Sequence, residues 1–210
     1  RIGAIYELQP GLRLGAQFTS PLYMQRYTKY NGLFAGNGSM DSPAHCTLGI
    51  AWSPVPALTV GFDVQRVFFG DIEALANRPV SGPELAGVIT PARMLGGSKG
   101  FGFGWTNETV YKLGAIYQPD ARLTLRAGWN HTPSVIPESS GLFGPIMPSI
   151  MEDHLAAGLS WRLDNGHEIT FGYMHALGNT LEARHTAFFG SEVDTWASTD
   201  SFDFGYSWKF

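Results

Sequence analysis

Two cations are the residues best placed to do chemistry in this chain. Lys112 and Arg126 lie on neighbouring stretches where polar and apolar residues alternate, and both fall on the polar side. A fixed cation there could steer a carboxylate. The same two could instead pair with Glu108 and other acids of that side and serve only to hold it together. Arg13, Arg122 and Arg162 stand beside tight turns and read as structural. A second candidate surface is apolar. Residues 141–147 run Gly-Leu-Phe-Gly-Pro-Ile-Met within a Pro-rich connection that should face water. Leu142, Phe143, Ile146 and Met147 are therefore candidates for capturing a greasy ligand or plugging a mouth, as are Val88, Ile89, Met94 and Leu95. Packing of these loops on one another is the alternative.

Bond-making chemistry is not indicated. The six histidines (45, 131, 154, 167, 175, 185) show no close spacing such as His-x-x-x-His, so no metal is expected. The run 100–104, Gly-Phe-Gly-Phe-Gly, lacks the strand-to-helix context of a phosphate loop. Residues 158–162, Gly-Leu-Ser-Trp-Arg, lack the final glycine of a nucleophile elbow. No catalytic residue and no cofactor is expected. Cys46 is the sole cysteine, which excludes an internal disulfide and a thiolate cluster. Net charge is −4 with no basic run, which argues against nucleic acid.

The elements that must position these residues are strands. At 201–208, Phe202, Phe204, Tyr206 and Trp208 alternate with Ser201, Asp203, Gly205 and Ser207, and Phe210 ends the chain. Successive strand side chains point to opposite faces, so one face is greasy and one wet. The same alternation predicts strands at 1–8, 12–20, 43–52, 57–69, 105–117, 121–130, 152–162, 167–177 and 201–210. Asp164-Asn165-Gly166 is a strong hairpin signal between two of them. Connections alternate between short (9–11, 53–56, 118–120, 163–166) and long (21–42, 70–104, 131–151, 178–199). A turn or two of helix is expected at 71–77.

Short turns on one rim and long loops on the other suit an antiparallel transmembrane β-barrel, with short turns periplasmic. Charged residues make up only 15%, against about 25% in soluble domains. No apolar run approaches the roughly 18 residues of a membrane helix, but a spanning strand needs only about 10. Trp52, Tyr117, Trp161 and Trp208 fall near the short-turn rim, and Phe68, Trp105 and Trp129 near the other, as aromatic girdles require. A soluble sandwich alternates as well. However, Arg122, Arg126, Gly128 and Asn130 make one face wet, and the sequence offers no helix to cover the other. Lipid is the simplest cover.

Particular motifs add a family resemblance. Gly104–Glu108 (Gly-Trp-Thr-Asn-Glu), Leu113–Tyr117 (Leu-Gly-Ala-Ile-Tyr), Leu123–Trp129 (Leu-Thr-Leu-Arg-Ala-Gly-Trp) and Thr132–Pro137 (Thr-Pro-Ser-Val-Ile-Pro) resemble a late hairpin of FadL/TodX-type outer-membrane transporters. Pro148–His154, Ala157–Trp161 and Gly172–His175 resemble the next hairpin. The resemblance is good from about 104 onward and patchy over 1–70. It implies a 14-stranded barrel in a Gram-negative outer membrane, plugged by an N-terminal hatch. Such a barrel imports long-chain fatty acids or other hydrophobic compounds by passive diffusion, without enzymatic chemistry. Residues 1–210 would then be the C-terminal portion of one barrel, its last nine strands, curled but open, with hatch and early strands absent. The implied partners are membrane lipid, a hydrophobic small-molecule ligand, and the barrel-assembly machinery, which would read Phe210. A monomer is expected. Two other readings remain: a structural or adhesive barrel or general porin without a hydrophobic pocket, and a lipid-processing outer-membrane enzyme. The last needs a Ser/His pair on the greasy face near the long-loop rim. His175 is the only histidine there by this reading, without an evident Ser.

Overall fold

A computed structural model describes residues 1–87, 90–140, 147, 149–184, 186 and 189–208. Nine antiparallel strands follow one another in chain order: β1 (Ile2–Gln9), β2 (Leu12–Thr19), β3 (His45–Val55), β4 (Leu58–Val67), β5 (Glu108–Tyr117), β6 (Leu123–His131), β7 (Asp153–Arg162), β8 (Glu168–Ala183) and β9 (Val193–Ser207). Each pairs with its neighbour in sequence, and β1 and β9 pair on one side only, so the sheet is open. The ladder register turns the sequence alternation into two distinct faces. Leu14, Ile50, Phe62, Leu113, Trp129 and Leu155 lie in one row across β2–β7. On the opposite face, Ala51, Gly61, Gly114, Gly128 and Ala156 lie in another. Side chains of the first face stay exposed, Leu48 by 66% and Phe204 by 76%, because no other described element covers them. Among the described residues no helix is long and apolar enough to cross a membrane, which says nothing about crossing by strands.

Turns at the short rim follow local chemistry. Gly166 takes φ +80°, which its lack of a Cβ permits, and its N–H donates to the Leu163 carbonyl at 2.9 Å. Asn165 Oδ1 accepts from the His167 N–H, closing the predicted Asn-Gly hairpin.

The hydrophobic core lies in the loops rather than the sheet. Ile72, Leu75, Phe103, Trp105, Val135, Ile136 and Ile150 pack together over the long-loop end, with Ile150 fully inaccessible. The segment between β4 and β5 folds back on itself to supply most of them. The N–H groups of Phe103 and Trp105 both donate to the Leu75 carbonyl, at 3.1 and 2.9 Å, and Phe69 meets Trp105 edge-on at 5.2 Å. The expected helix near 71–77 is a single turn, Glu73–Ala76, and a second turn, Gly82–Ala86, was not anticipated. The latter begins with a capping box: the Ser81 side chain accepts from the Glu84 N–H while Glu84 returns to the Ser81 N–H.

Several expected boundaries move. The expected loop at 178–199 is largely strand, since β8 runs on to Ala183 and β9 starts at Val193. A register shift between Ala176 and Asn179 breaks the alternation there and hides the continuation. The inner side of this extension walls the loop core: Leu181 and Ala197 pack against it, and Asn179 Nδ2 donates to the Ile150 carbonyl at 2.9 Å. Strand β5 begins at Glu108, not 105, so Trp105 sits in the loop core, 7% exposed, and not in a girdle. Strand β3 continues through the expected turn to Val55. Lys209 and Phe210 lie outside the described residues, and with them the terminal aromatic.

Candidate functional site

Lys112 and Arg126 both fall on the polar face by register; Lys112 lines a cavity of about 1120 Å³ that this face forms from β1 to β5, and Arg126, on β6, lies outside that lining. Lys112 lies opposite Asp63 on β4 and Asn130 on β6. Its Nζ donates not to Asp63 or Glu108 but to Gln65 Oε1, at 2.9 Å. The reason is Gly49. The Asp63 carboxylate lies over Gly49, in the space a Cβ would occupy, and so turns away from the lysine. Glu108 is engaged by the Thr106 hydroxyl at 2.8 Å. Arg126 Nη1 donates to Ser160 Oγ at 2.8 Å; Ser160 is 2% exposed and shares a hydrogen bond with Thr170 at 3.0 Å. This chain fixes the guanidinium without neutralising it. Neither cation is within ion-pair distance of a described carboxylate.

The two cations are not one clamp. Arg126 faces Ile116, four residues along β5 from Lys112, a separation of about 13 Å at the strand rise of about 3.3 Å per residue. They mark two heights on the inner wall. Between them runs the row Gly61, Gly114 and Gly128. A Cβ added at any of the three would meet nothing closer than 3.7 Å, so no local contact demands glycine there. The omitted side chains leave clearance along the wall at that height. At the short-turn rim Arg122 pairs with Asp164 at 2.5 Å and Arg162 with Glu168 at 3.8 Å.

The apolar loop candidates divide. Leu142, Phe143 and Ile146 lie outside the described residues, as do Val88 and Ile89. Met147 is half-buried and packs against the loop core. Met94 and Leu95 are exposed by 51% and 57%. The connection between β2 and β3 adds a surface not singled out beforehand: Leu22, Tyr23, Met24, Tyr27, Tyr30 and Leu33 are all exposed. Their local signal was the run Leu22-Tyr23-Met24 inside an otherwise polar loop.

Loop electrostatics centre on Glu84. Its carboxylate takes Arg93 at 3.0 Å and Arg78 at 2.7 Å, and accepts the Ser81 N–H and hydroxyl. These contacts, Arg93 first, hold its pKa far below the ordinary carboxylate range. In the short turn before β6, the N–H groups of Arg122 and Leu123 hold Asp120 down. Among the described residues no group of three or more His, Cys, Asp or Glu is placed to hold a metal.

The outward face holds two carboxylate clusters at its long-loop end that sequence reading missed. Asp153 Oδ1 accepts from Trp129 Nε1 at 2.8 Å and meets His131 Nδ1 at 3.0 Å. Asp200 Oδ1 accepts from the Tyr173 hydroxyl at 2.7 Å and meets His175 Nδ1 at 2.8 Å. His175 is thus joined by His131 on that face, and each has an Asp partner rather than a Ser. The partners come from adjacent strands far apart in sequence, so spacing alone gives no hint of them.

With this geometry in place, the chain can be compared with known proteins. The profile of the outer membrane protein transport protein family (OMPP1/FadL/TodX) matches residues 1–208. The toluene transporter TodX of Pseudomonas putida superposes with a TM-score of 0.62 at 17% identity, over 99% of this chain and 48% of TodX. A FadL homologue of Pseudomonas aeruginosa gives 0.60 at 14% identity, over 95% and 49%. The toluene transporter TbuX of Ralstonia pickettii gives 0.51 at 18%, over 84% and 42%. The chain thus spans about half the length of these solved structures, and at such identities the likeness is one of fold. No curated protein matches the chain.

Proposed function

The chain belongs to the OMPP1/FadL/TodX family of outer membrane transport proteins, and from that premise we propose that it walls a passage admitting hydrophobic compounds across a Gram-negative outer membrane. The observation that carries this reading is the inner wall: a cavity of about 1120 Å³ on the polar face, with Lys112 at its lining and free of any described carboxylate. A structural barrel would be expected to seal its interior with ion pairs. Here the cations are held by Gln65 and Ser160, both neutral, and keep their charge for a passing group.

In this mechanism the exposed apolar loop residues, Met94 and Leu95 among them, collect a greasy molecule outside. Leu142, Phe143, Ile146 and Met147 are proposed to take part in that capture. The molecule then descends past the glycine row without energy input. An acid would be steered by Lys112 and Arg126 in turn; a neutral hydrocarbon would use the same path unaided. The open edges of β1 and β9 require partners in a membrane, since unpaired N–H and C=O groups are costly in hydrocarbon. We propose that this chain is the C-terminal portion of one closed, monomeric barrel with further strands and a hatch, delivered to the membrane by assembly machinery that would read Phe210.

The test is uptake by cells lacking their own importer and carrying the full-length gene. Labelled oleate and a labelled alkylbenzene are compared with a small sugar. Saturable entry of either hydrophobic compound without sugar leakage is expected. Equal passage of sugar would make the protein an open porin, and entry of none of the three would favour a structural barrel.

A further inference from the structure

The outward face of β6–β9 has a built feature that the transport reading does not use. Leu125, Ala157, Leu159, Phe171, Tyr173 and Phe202, together with Arg126 and Gly158 between them in sequence, line a mostly apolar groove of about 660 Å³. Ala157 lies level with Tyr173 and Phe202 in the ladder, and its small side chain leaves a low place between larger neighbours. Tyr173 both lines the groove and donates to Asp200, so the groove ends at the long-loop rim against a polar cluster. The second cluster stands next to it: Leu155 lies opposite both Trp129 and His175.

We propose that this is a binding site for an outer-leaflet lipid with a sugar head group, one acyl chain lying in the groove and the sugar resting on the two clusters. In a bilayer the groove alone selects nothing, because any lipid tail covers apolar side chains equally well. Selection comes from the polar end. Asp153 and Asp200 each use Oδ1 for two partners, which leaves Oδ2 of both as acceptors for hydroxyl groups. Beside them the rings of Tyr111, His131 and Trp129 stack with nearly parallel planes, at interplanar angles of 26° and 19°. A stack of aromatic rings flanked by fixed carboxylate acceptors suits a pyranose, which presents an apolar ring face to add to the stack and a rim of hydroxyl donors. A bare phosphate is disfavoured by two carboxylates. The neighbouring Arg66, hydrogen-bonded to Thr109 at 2.8 Å, lies on the far side of Tyr111. The height agrees as well, since barrels place their long loops outside, next to the outer-leaflet head groups.

The experiment is native mass spectrometry of the full-length protein, extracted from outer membranes in mild detergent. It is offered an acylated glucosamine lipid, a phosphatidylethanolamine and a phosphatidylglycerol of matched chains. One glucosamine lipid should be retained about tenfold better than either phospholipid, the scale of one hydrogen bond to a charged group. Ala157→Trp, which fills the groove, should lower retention of all three lipids together, and the double change Asp153→Asn with Asp200→Asn should remove the preference. Leu48→Trp, outward on β3 and away from the groove, should keep it. Should Ala157→Trp fail to fold, the asparagine pair, which adds no volume, carries the test. Equal retention of the three lipids by the unaltered protein, preference for either phospholipid, undiminished retention in a folded Ala157→Trp variant, or an undiminished preference in the asparagine pair would overturn the proposal. None of these outcomes depends on what the barrel transports.

Discussion

Along β5 and β6 the apolar residues Leu113, Leu125 and Trp129 are each more than a third exposed, while Phe103, Trp105 and Ile150 of the loop region are nearly inaccessible. The two regions are chemically similar in sequence and opposite in their surroundings. The wall keeps its greasy side chains outside for lipid and holds itself by the backbone ladder, in which every strand between β1 and β9 is paired on both sides. The loop cap, facing water, gathers its apolar groups into a small core like that of a soluble domain. Two solvents have thus sorted one chain into two kinds of packing, and the two should fail independently.

The sharpest separation comes from the cap. Ile150→Ala removes a fully buried side chain and should cost about 2–5 kcal/mol, confined to the loops. Limited proteolysis should then cut within 68–107 while the strands stay protected in lipid. Simultaneous loss of both would mean that cap and wall are one cooperative unit. The converse is Leu159→Arg, on the outward face of β7, which should cost about 2–4 kcal/mol at mid-membrane depth. Here the barrel should lose its resistance to unfolding by heat in detergent. An arginine tolerated at position 159 would show that this face is not against lipid.

The same contrast explains what could be read from sequence. The wall was legible because alternation has period two and persists wherever one face must be wet and the other dry. Where β8 shifts register near Gly178 the period breaks, and the sequence takes on the look of a loop although the strand continues to Ala183. The cap left no periodic trace. Trp105 belongs to its core through a carbonyl thirty residues away, at Leu75, and nothing in the local pattern separates it from a girdle tryptophan. Lys112 and Arg126 were legible as inward cations, but not their partners. Gln65 and Ser160 lie across the ladder, and the tilt of Asp63 onto Gly49 depends on a missing side chain two strands from the lysine.

Acid should loosen the cap before the wall. The folded-state pKa of Glu84 is depressed, so its contribution is complete above the unfolded value of about 4.3 and is lost as pH falls below that toward the folded value. Proteolysis of the 78–99 segment should therefore rise on acidification below about pH 4.3, with the strands unaffected. Glu84→Gln should show the loosened behaviour already at neutral pH, by about 1 kcal/mol after solvent screening. Equal susceptibility of wild type and variant across that range would remove the Arg78–Glu84–Arg93 hub from the account of the cap.

The smallest structural change proposed touches the inner wall and should act on selectivity more than on stability. Gly49→Ala places a methyl group where the Asp63 carboxylate now lies. The backbone at Gly49 is ordinary strand, so any L-residue fits it, and the carboxylate at the end of a flexible side chain must move instead. Its register partner on the other side is Lys112, and the displaced carboxylate should pair with it. Uptake of labelled oleate should fall severalfold, because the lysine would be neutralised, while uptake of the alkylbenzene, which needs no cation, should hold. Lys112→Ala should reproduce the same split. Were both substrates reduced together, the effect would be a narrowed passage and not a lost charge; were neither changed, the cation at 112 would be part of the scaffold, as Arg122 and Arg162 are at the short-turn rim.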